Sequence, residues 1–298
     1  ALDIEGDFGK FKFKVAGEFL RGTVTGETYV APPDERGETA TTANGAATDT
    51  KNLADPFEGW VAWRPGVAEV RVGLQRSGFG VGMLANSGQE RPWDLFNQKY
   101  GADRGLRGLI ATRPGAFVSK SRVAKGITVA IGADLVYRDD NANLLEGDRA
   151  YQAIASVFYD DQDPSNPDNT TFMGMYFAYR NQEDRQIEGI EDNDTLEVAA
   201  IDISMKKAWT MDDFWFSLAG ESALISGSST RAYTQSLDDS VKLLGLGAAG
   251  EAQVTYKPAL ASLKLLTGYA SGYANSDDDT MYRFRFDPNY KVGLVLYD

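Results

Sequence analysis

Apolar and polar residues alternate here along runs too long for an ordinary strand, and a period of two puts them on opposite faces of a sheet. Phe11, Phe13, Val15 and Phe19 alternate with Lys10, Lys12, Lys14 and Glu18. Ile127, Val129, Ile131, Ala133, Leu135 and Tyr137 alternate with Thr128, Gly132, Asp134 and Arg138. Met173, Met175, Phe177 and Tyr179 hold one parity, as do Leu244, Leu246, Ala248, Ala252, Val254 and Tyr256. Near the end, Tyr282, Phe284, Phe286, Tyr290, Val292, Leu294 and Leu296 oppose Arg283, Arg285, Asp287, Asn289 and Lys291. That last run covers about 16 residues, where five or six is usual.

Soluble β-sandwiches are built from short strands with a turn every 8–12 residues or so. A membrane barrel uses about 9–11 tilted residues per crossing and often extends them beyond the bilayer. The pattern therefore predicts an all-β chain, one domain over 1–298, folded as a transmembrane antiparallel β-barrel of about twelve strands, within a range of roughly 10–16. The expected strands lie near 8–30, 53–63, 67–76, 105–113, 126–138, 149–159, 170–181, 195–206, 213–226, 241–257, 260–274 and 281–297. Connectors at 64–66, 207–212 and 257–259 are tight, whereas 31–52, 77–104, 139–148, 182–194 and 227–240 are long and polar. Short turns at one end and long loops at the other are the usual asymmetry of outer-membrane barrels. Connectors 114–125 and 160–169 are longer than that rule asks of short turns. In 195–206 the apolar parity moves from Leu196 and Val198 to Ile201, Ile203 and Met205, which predicts either a bulge near Ala199 and Ala200 or a strand boundary placed wrongly. Segment 149–159 is apolar on both parities.

Composition narrows the chemistry. The chain has no histidine and no cysteine, which removes imidazole relays, thiol nucleophiles and zinc fingers, so no enzyme is expected. Its net charge of −13 argues against a nucleic-acid partner, which needs a basic face. No apolar run reaches the ~18 residues of a membrane helix, and 31 Gly, 15 Phe, 14 Tyr and 5 Trp suit tight turns and aromatic girdles. The opening Ala1, Leu2, Asp3 and Ile4 carry no basic-then-apolar leader, which fits a chain that is not exported or one whose leader has been removed.

In a barrel the inward polar set decides function. If the terminal strands pair, Lys10, Lys12 and Lys14 lie near Arg283, Arg285 and Lys291, with Lys264 on the next strand, forming a basic wall that Arg71, Arg107 and Arg113 either extend or face. Glu197, Asp202, Glu221 and Glu251 form the acidic counterpart. Opposed walls of opposite charge orient polar solutes. The same charges can instead pair across a plugged lumen, and a barrel of about twelve strands sits between filled and open sizes. Segment 77–104 bears on that choice: Phe79, Met83 and Leu84, then Trp93 and Phe96, are too apolar for an exposed loop, so it is expected to fold into the barrel as a constriction or to cover a partner interface. Gly78, Gly80 and Gly82 are spaced like a phosphate loop but lack its Lys-Ser/Thr and its βαβ setting. No cofactor is expected, save the option of Ca²⁺ at the acidic runs 160–163, 192–194 and 277–279, none of which matches an EF-hand.

Residues 70–77 (Val70 to Ser77) with 80–86 (Gly80 to Asn86), residues 134–141 (Asp134 to Asn141) and residues 286–294 (Phe286 to Leu294) resemble an uncharacterised outer-membrane β-barrel family of delta-proteobacteria, loosely similar to alginate-export-type porins. The resemblance implies the bacterial outer membrane, with its lipid and lipopolysaccharide as surroundings, and assigns no substrate. The leading expectation is a porin-like channel for passive diffusion of small hydrophilic solutes, anionic by preference. The alternative is a non-conducting barrel that anchors envelope proteins.

Overall fold

A computed structural model describes residues 2–19, 54–88, 103–139, 141–163, 165–184, 195–230, 240–272 and 280–290. Over these the chain is all-β. In order come β1 (Leu2–Phe8), β2 (Phe11–Phe19), β3 (Ala54–Trp63), β4 (Ala68–Arg76), β5 (Arg104–Thr112), the short helices α1 (Gly115–Val118) and α2 (Arg122–Gly126), β6 (Ile127–Arg138), β7 (Arg149–Asp163), β8 (Asn166–Glu183), β9 (Thr195–Met211), β10 (Phe214–Ser229), β11 (Val241–Tyr256), β12 (Ala261–Ala270) and β13 (Thr280–Met281). Strands β1 to β12 form one meander in which each pairs antiparallel with the next. The two-residue β13 adds in parallel to β11, at the end where β12 has stopped. Among the described residues β1 and β12 do not pair, so the sheet is open.

The connectors sort by end. Residues 9–10, 64–67, 164–165, 212–213 and 257–260 join strands at one end, together with 113–126, which carry α1 and α2. The strand ends that precede and follow 20–53, 77–103, 139–148, 184–194 and 230–240 all lie at the other end. The expected long connector 160–169 shrinks to two residues because the hydrogen-bonded ladder of β7 and β8 runs to Asp163 and Asn166.

Three expectations are corrected. The first predicted strand, 8–30, is preceded by a strand it omitted: Gly9 adopts φ +69 and turns β1 onto β2 as a hairpin; residues 20–30 lie outside the described residues. Strand β9 has no bulge, because its register is unbroken against both neighbours. Leu196 and Val198 share the polar face of β9 with Asp202, where they border a cavity. The last predicted strand, 281–297, is β-structure only at Met281 among the described residues, and 282–290 run as irregular chain.

The sheet curls. Val81 lies five residues beyond the end of β4, a reach of about 17 Å, yet its backbone N–H meets Glu221 on β10. In a flat sheet those strands would stand about 29 Å apart, six spacings of roughly 4.8 Å. Only a sheet wrapped around residues 77–88 brings them together.

The two faces differ in chemistry. The convex face carries Val61, Val72, Ile110, Ile131, Met175, Ile203, Met205, Leu224 and Leu246, all exposed, with Leu263 at 72% and Leu265 at 66%. The concave face carries Lys12, Lys14, Arg107, Asp134, Arg180, Asp202 and Glu221, half-buried or buried. Period two thus separates the two chemistries, but the apolar side is the one without a protein cover, the reverse of a water-soluble sheet.

Candidate functional site

Neighbouring strands bring opposite charges together on the concave face. Lys12 pairs with Glu5, Lys14 with Glu58 at 2.7 Å, and Arg71 with Glu69 at 2.5 Å. Arg107 pairs with Asp134 at 2.5 Å, Arg180 with Asp139 at 2.5 Å, and Lys264 with Glu251 at 3.0 Å. Four of these pairs join side chains one strand apart, Arg71 and Glu69 share β4, and Asp139 reaches Arg180 on β8 from just past the end of β6. The charges therefore interleave around the face, where a basic wall facing an acidic one was expected. A low-dielectric setting makes such pairing the cheapest way to keep ions inside a fold.

Residues 77–88 cross this face. The segment folds on itself: the Phe79 N–H donates to Ala85 O at 3.1 Å, the Gly82 N–H to Phe79 O at 3.0 Å, and the Asn86 amide to Gly82 O at 3.0 Å. Gly80 (φ +59) and Gly82 (φ +86) turn the chain in the left-handed region that other residues resist. Four consecutive backbone N–H groups then converge on one carboxylate. Val81 and Gly82 donate to Glu221 Oε2, and Met83 (2.9 Å) and Leu84 (3.3 Å) donate to Oε1. A Cβ on Gly80 would fall 2.0 Å from Glu221 Oε2, so the contact demands glycine there. Phe79 reaches further, stacking on Tyr176 (5.5 Å) and meeting Phe172 edge-on (5.8 Å), above Gly174. Phe158 joins the same cluster, which explains why β7 is apolar on both parities: its concave side serves this aromatic group.

Residues 282–290 cover the remaining concave surface. Phe284 lies against Gly247, where a Cβ would come within 2.3 Å of the ring. Phe284 and Tyr290 enclose Met83 with Ala223 and Ala249 in an apolar cluster, and the Asp287 N–H donates to Met83 O at 2.9 Å. Burial pushes the Asp287 carboxyl up to about 6, although the Asn289 N–H at 2.7 Å works in the opposite direction. Between this segment, residues 77–88 and the strands remains a cavity of about 290 Å³ whose lining includes Leu84, Arg104, Asp134, Arg180, Phe286 and Asp287.

Several expected lining residues are thus on the concave face: Lys12, Lys14, Arg71, Arg107, Lys264, Asp202, Glu221 and Glu251. Phe79, Met83 and Leu84 lie across it. Glu197 is misplaced in the expectation. It shares the convex face with Ile201 and accepts the Tyr179 hydroxyl at 2.6 Å, because the parity change along β9 moved the apolar pattern and left the backbone register intact. Arg283 and Arg285 sit on irregular chain beside β11 and line the cavity, so they do not continue the Lys12 row. Lys10 occupies the exposed β1–β2 turn. Lys291, Trp93 and Phe96 lie outside the described residues, as do the acidic runs at 192–194 and 277–279. Asp161, in the run at 160–163, pairs with Arg122 at 2.8 Å. Among the described residues no three acidic side chains converge as metal ligands.

Sequence reasoning missed Arg104 and Arg180. Arg104 is buried, lies over the Phe57 ring at 5.5 Å and donates to Pro56 O at 2.7 Å. Parity hid it: three residues from Arg107, Arg104 would face outward on a regular strand, but the register break between Arg104 and Gly105 brings it inward too. No helix among the described residues is long and apolar enough to cross a membrane. Compared with protein-family models, curated proteins and solved structures, the chain matches none.

Proposed function

We propose that this chain is a β-barrel of the bacterial outer membrane and acts as a narrow porin-like passage for small hydrophilic solutes. The observation that carries the proposal is the exchange of faces: exposed Leu, Ile, Val and Met on the convex side and buried ion pairs on the concave side. Hydrocarbon is the solvent that makes such a partition favourable, since apolar side chains lose nothing there; the proposal requires that the β1 and β12 edges, open in the described sheet, close on each other in the bilayer so that every backbone group is satisfied.

Aromatic side chains bracket the apolar band. Toward the short connectors the convex face shows Phe8 stacked on Phe13, Trp209 on Phe216, and Phe214 beside Tyr256. Toward the long loops it shows Tyr151, Tyr179 and Tyr269. On β7 the distance from Tyr159 to Tyr151 is eight residues, about 27 Å along the strand. At a tilt near 40° that becomes roughly 20 Å across the membrane, close to the ~25 Å apolar band of outer-membrane barrels. The short connectors then face the periplasm and the long loops face outward.

Residues 77–88 make the passage narrow. Interleaved ion pairs leave a weak net field, so solutes are selected by size first and by charge second, with Arg104, Arg283 and Arg285 at the cavity supplying whatever anion preference exists. The non-conducting anchor has one observation in its favour, the Met83, Phe284 and Tyr290 cluster that fills part of the concave side. Single-channel recording in planar bilayers separates the two: small, steady conductance supports the channel, and membrane insertion without conductance supports the anchor. A protein that stays monomeric in water without detergent would falsify both.

A further inference from the structure

We propose that Glu221 is the latch of a gate: its carboxylate ties four backbone N–H groups of residues 77–88 to the β10 wall, and releasing it widens the passage. The inference rests on the channel reading above and adds how its constriction is held.

The segment is built to move as a unit. Its internal hydrogen bonds, from Phe79 to Ala85, Gly82 to Phe79 and Asn86 to Gly82, hold the shape of its turn, while its ends are tied at Ser77 to Arg107 and at Ser87 to Arg76. The hydrogen bonds described between it and the β10 wall all end on Glu221, which accepts from Val81, Gly82, Met83 and Leu84. Four N–H groups on one anion form a nest, a concavity whose partial charges favour a negative guest, and charge-assisted bonds of this kind are about twice as strong as neutral ones. The remaining ties hold the two ends of the segment or are of a different kind: the Arg107 guanidinium donates to Ser77 Oγ at 2.6 Å, Arg76 to Ser87 O at 3.4 Å and the Asn86 N–H to Asp103 at 3.4 Å, while the Phe79 ring lies on Tyr176 and Phe172, Met83 packs in the cluster with Ala223, and Met83 O accepts from Asp287. A single acidic side chain thus supplies the described hydrogen bonds between the middle of the constriction and the β10 wall. The glycine spacing at 78, 80 and 82, which suggested a phosphate site, serves a carboxylate of the same chain: Gly80 lets the backbone approach Glu221 and Ser204 closely, and Gly82 turns the N–H row toward the acid.

The test is unitary conductance of the full chain in planar bilayers, with Glu221→Ala, Glu221→Gln and a variant whose residues 78–86 are replaced by a Gly-Ser linker. The linker variant shows the width of the passage without its constriction. Glu221→Ala removes every acceptor and is expected to raise conductance about twofold or more toward the linker value, with Glu221→Gln in between. Because a lost charge also alters ion flow, Met83→Cys and Ala223→Cys are added to Glu221→Ala; the natural chain has no cysteine to interfere. Oxidation is expected to restore the small conductance and reduction to release it, which a pure charge effect cannot do. A wide linker variant beside a Glu221→Gln or Glu221→Ala channel of wild-type conductance overturns the latch while leaving the channel reading intact. A conductance rise that oxidation does not reverse also overturns it. Absence of conductance in every form, the linker variant included, overturns the channel reading itself.

Discussion

Two segments cover the concave face, and they hold to it by opposite means. Residues 77–88 are fastened by directional bonds from four N–H groups to Glu221. Residues 282–290 are fastened by shape, with the Phe284 ring on Gly247 and Tyr290 packed against the same cluster as Met83. A directional anchor fails when one acceptor is removed, whereas a packed anchor fails in proportion to the volume removed. The two therefore should come loose independently, although they touch where the Asp287 N–H meets Met83 O.

The largest effect we expect on this contrast is from Phe284→Ala. Removing a buried aromatic ring costs about 3–5 kcal/mol where it packs, and limited trypsin digestion should then cut at Arg283 and Arg285 while chymotrypsin still spares Phe79. Loss of protection at both segments together would break the contrast and show them to be one unit. Gly80→Ala should give the converse pattern: the left-handed turn costs a residue with a side chain about 1–2 kcal/mol, and the added carbon meets Glu221. Cleavage at Phe79 and Leu84 should appear with the Arg283 site still protected.

A smaller, graded effect comes from pH. The Asp287 carboxyl titrates near 6 when buried, above its ordinary value of 3.8, so the docked segment holds that proton more tightly than the free one. Docking is then firmest below about pH 4 and weakens as pH rises through 6. Hydrogen exchange at residues 284–290, corrected for intrinsic rates, should speed up over that window. Asp287→Asn should flatten the response, and an unchanged profile in that variant would assign the effect elsewhere. The smallest change is expected from neutralising Lys12 and Lys14 together. Each already faces an acid, Glu5 or Glu58, so the reversal potential under a salt gradient should move little. A large loss of anion preference would instead restore the basic wall inferred from sequence.

How far the fold could be read in advance depended on what each pattern reports. Alternation on β2, β6, β8 and β11 assigned faces correctly because side chains on a strand have no other choice. The same alternation in Tyr282, Phe284, Phe286 and Tyr290 suggested a strand, yet these residues belong to a segment that lies over the concave face. Alternation reports two environments and not hydrogen bonding, and a segment lying between a wall and a cavity also has two. Glycine and apolar residues at 77–88 marked a connector that had to be covered, but nothing local pointed to Glu221, about 140 positions away. The ion pairs were legible as charges on one face. Their pairing was not, since it depends on register, and a shift of one residue would have exchanged every partner.

By itself the sequence determined the element type, the meander, the division of connectors between the two ends, and the apolar and charged faces. All of these follow from the period of a strand and from contacts near in sequence. The tertiary structure alone decided that residues 282–290 join 77–88 over the concave face, how the charges pair there, and that Glu221 closes the contact. Those outcomes depend on curvature of the whole sheet, which accumulates over many strands and leaves no mark on any one of them.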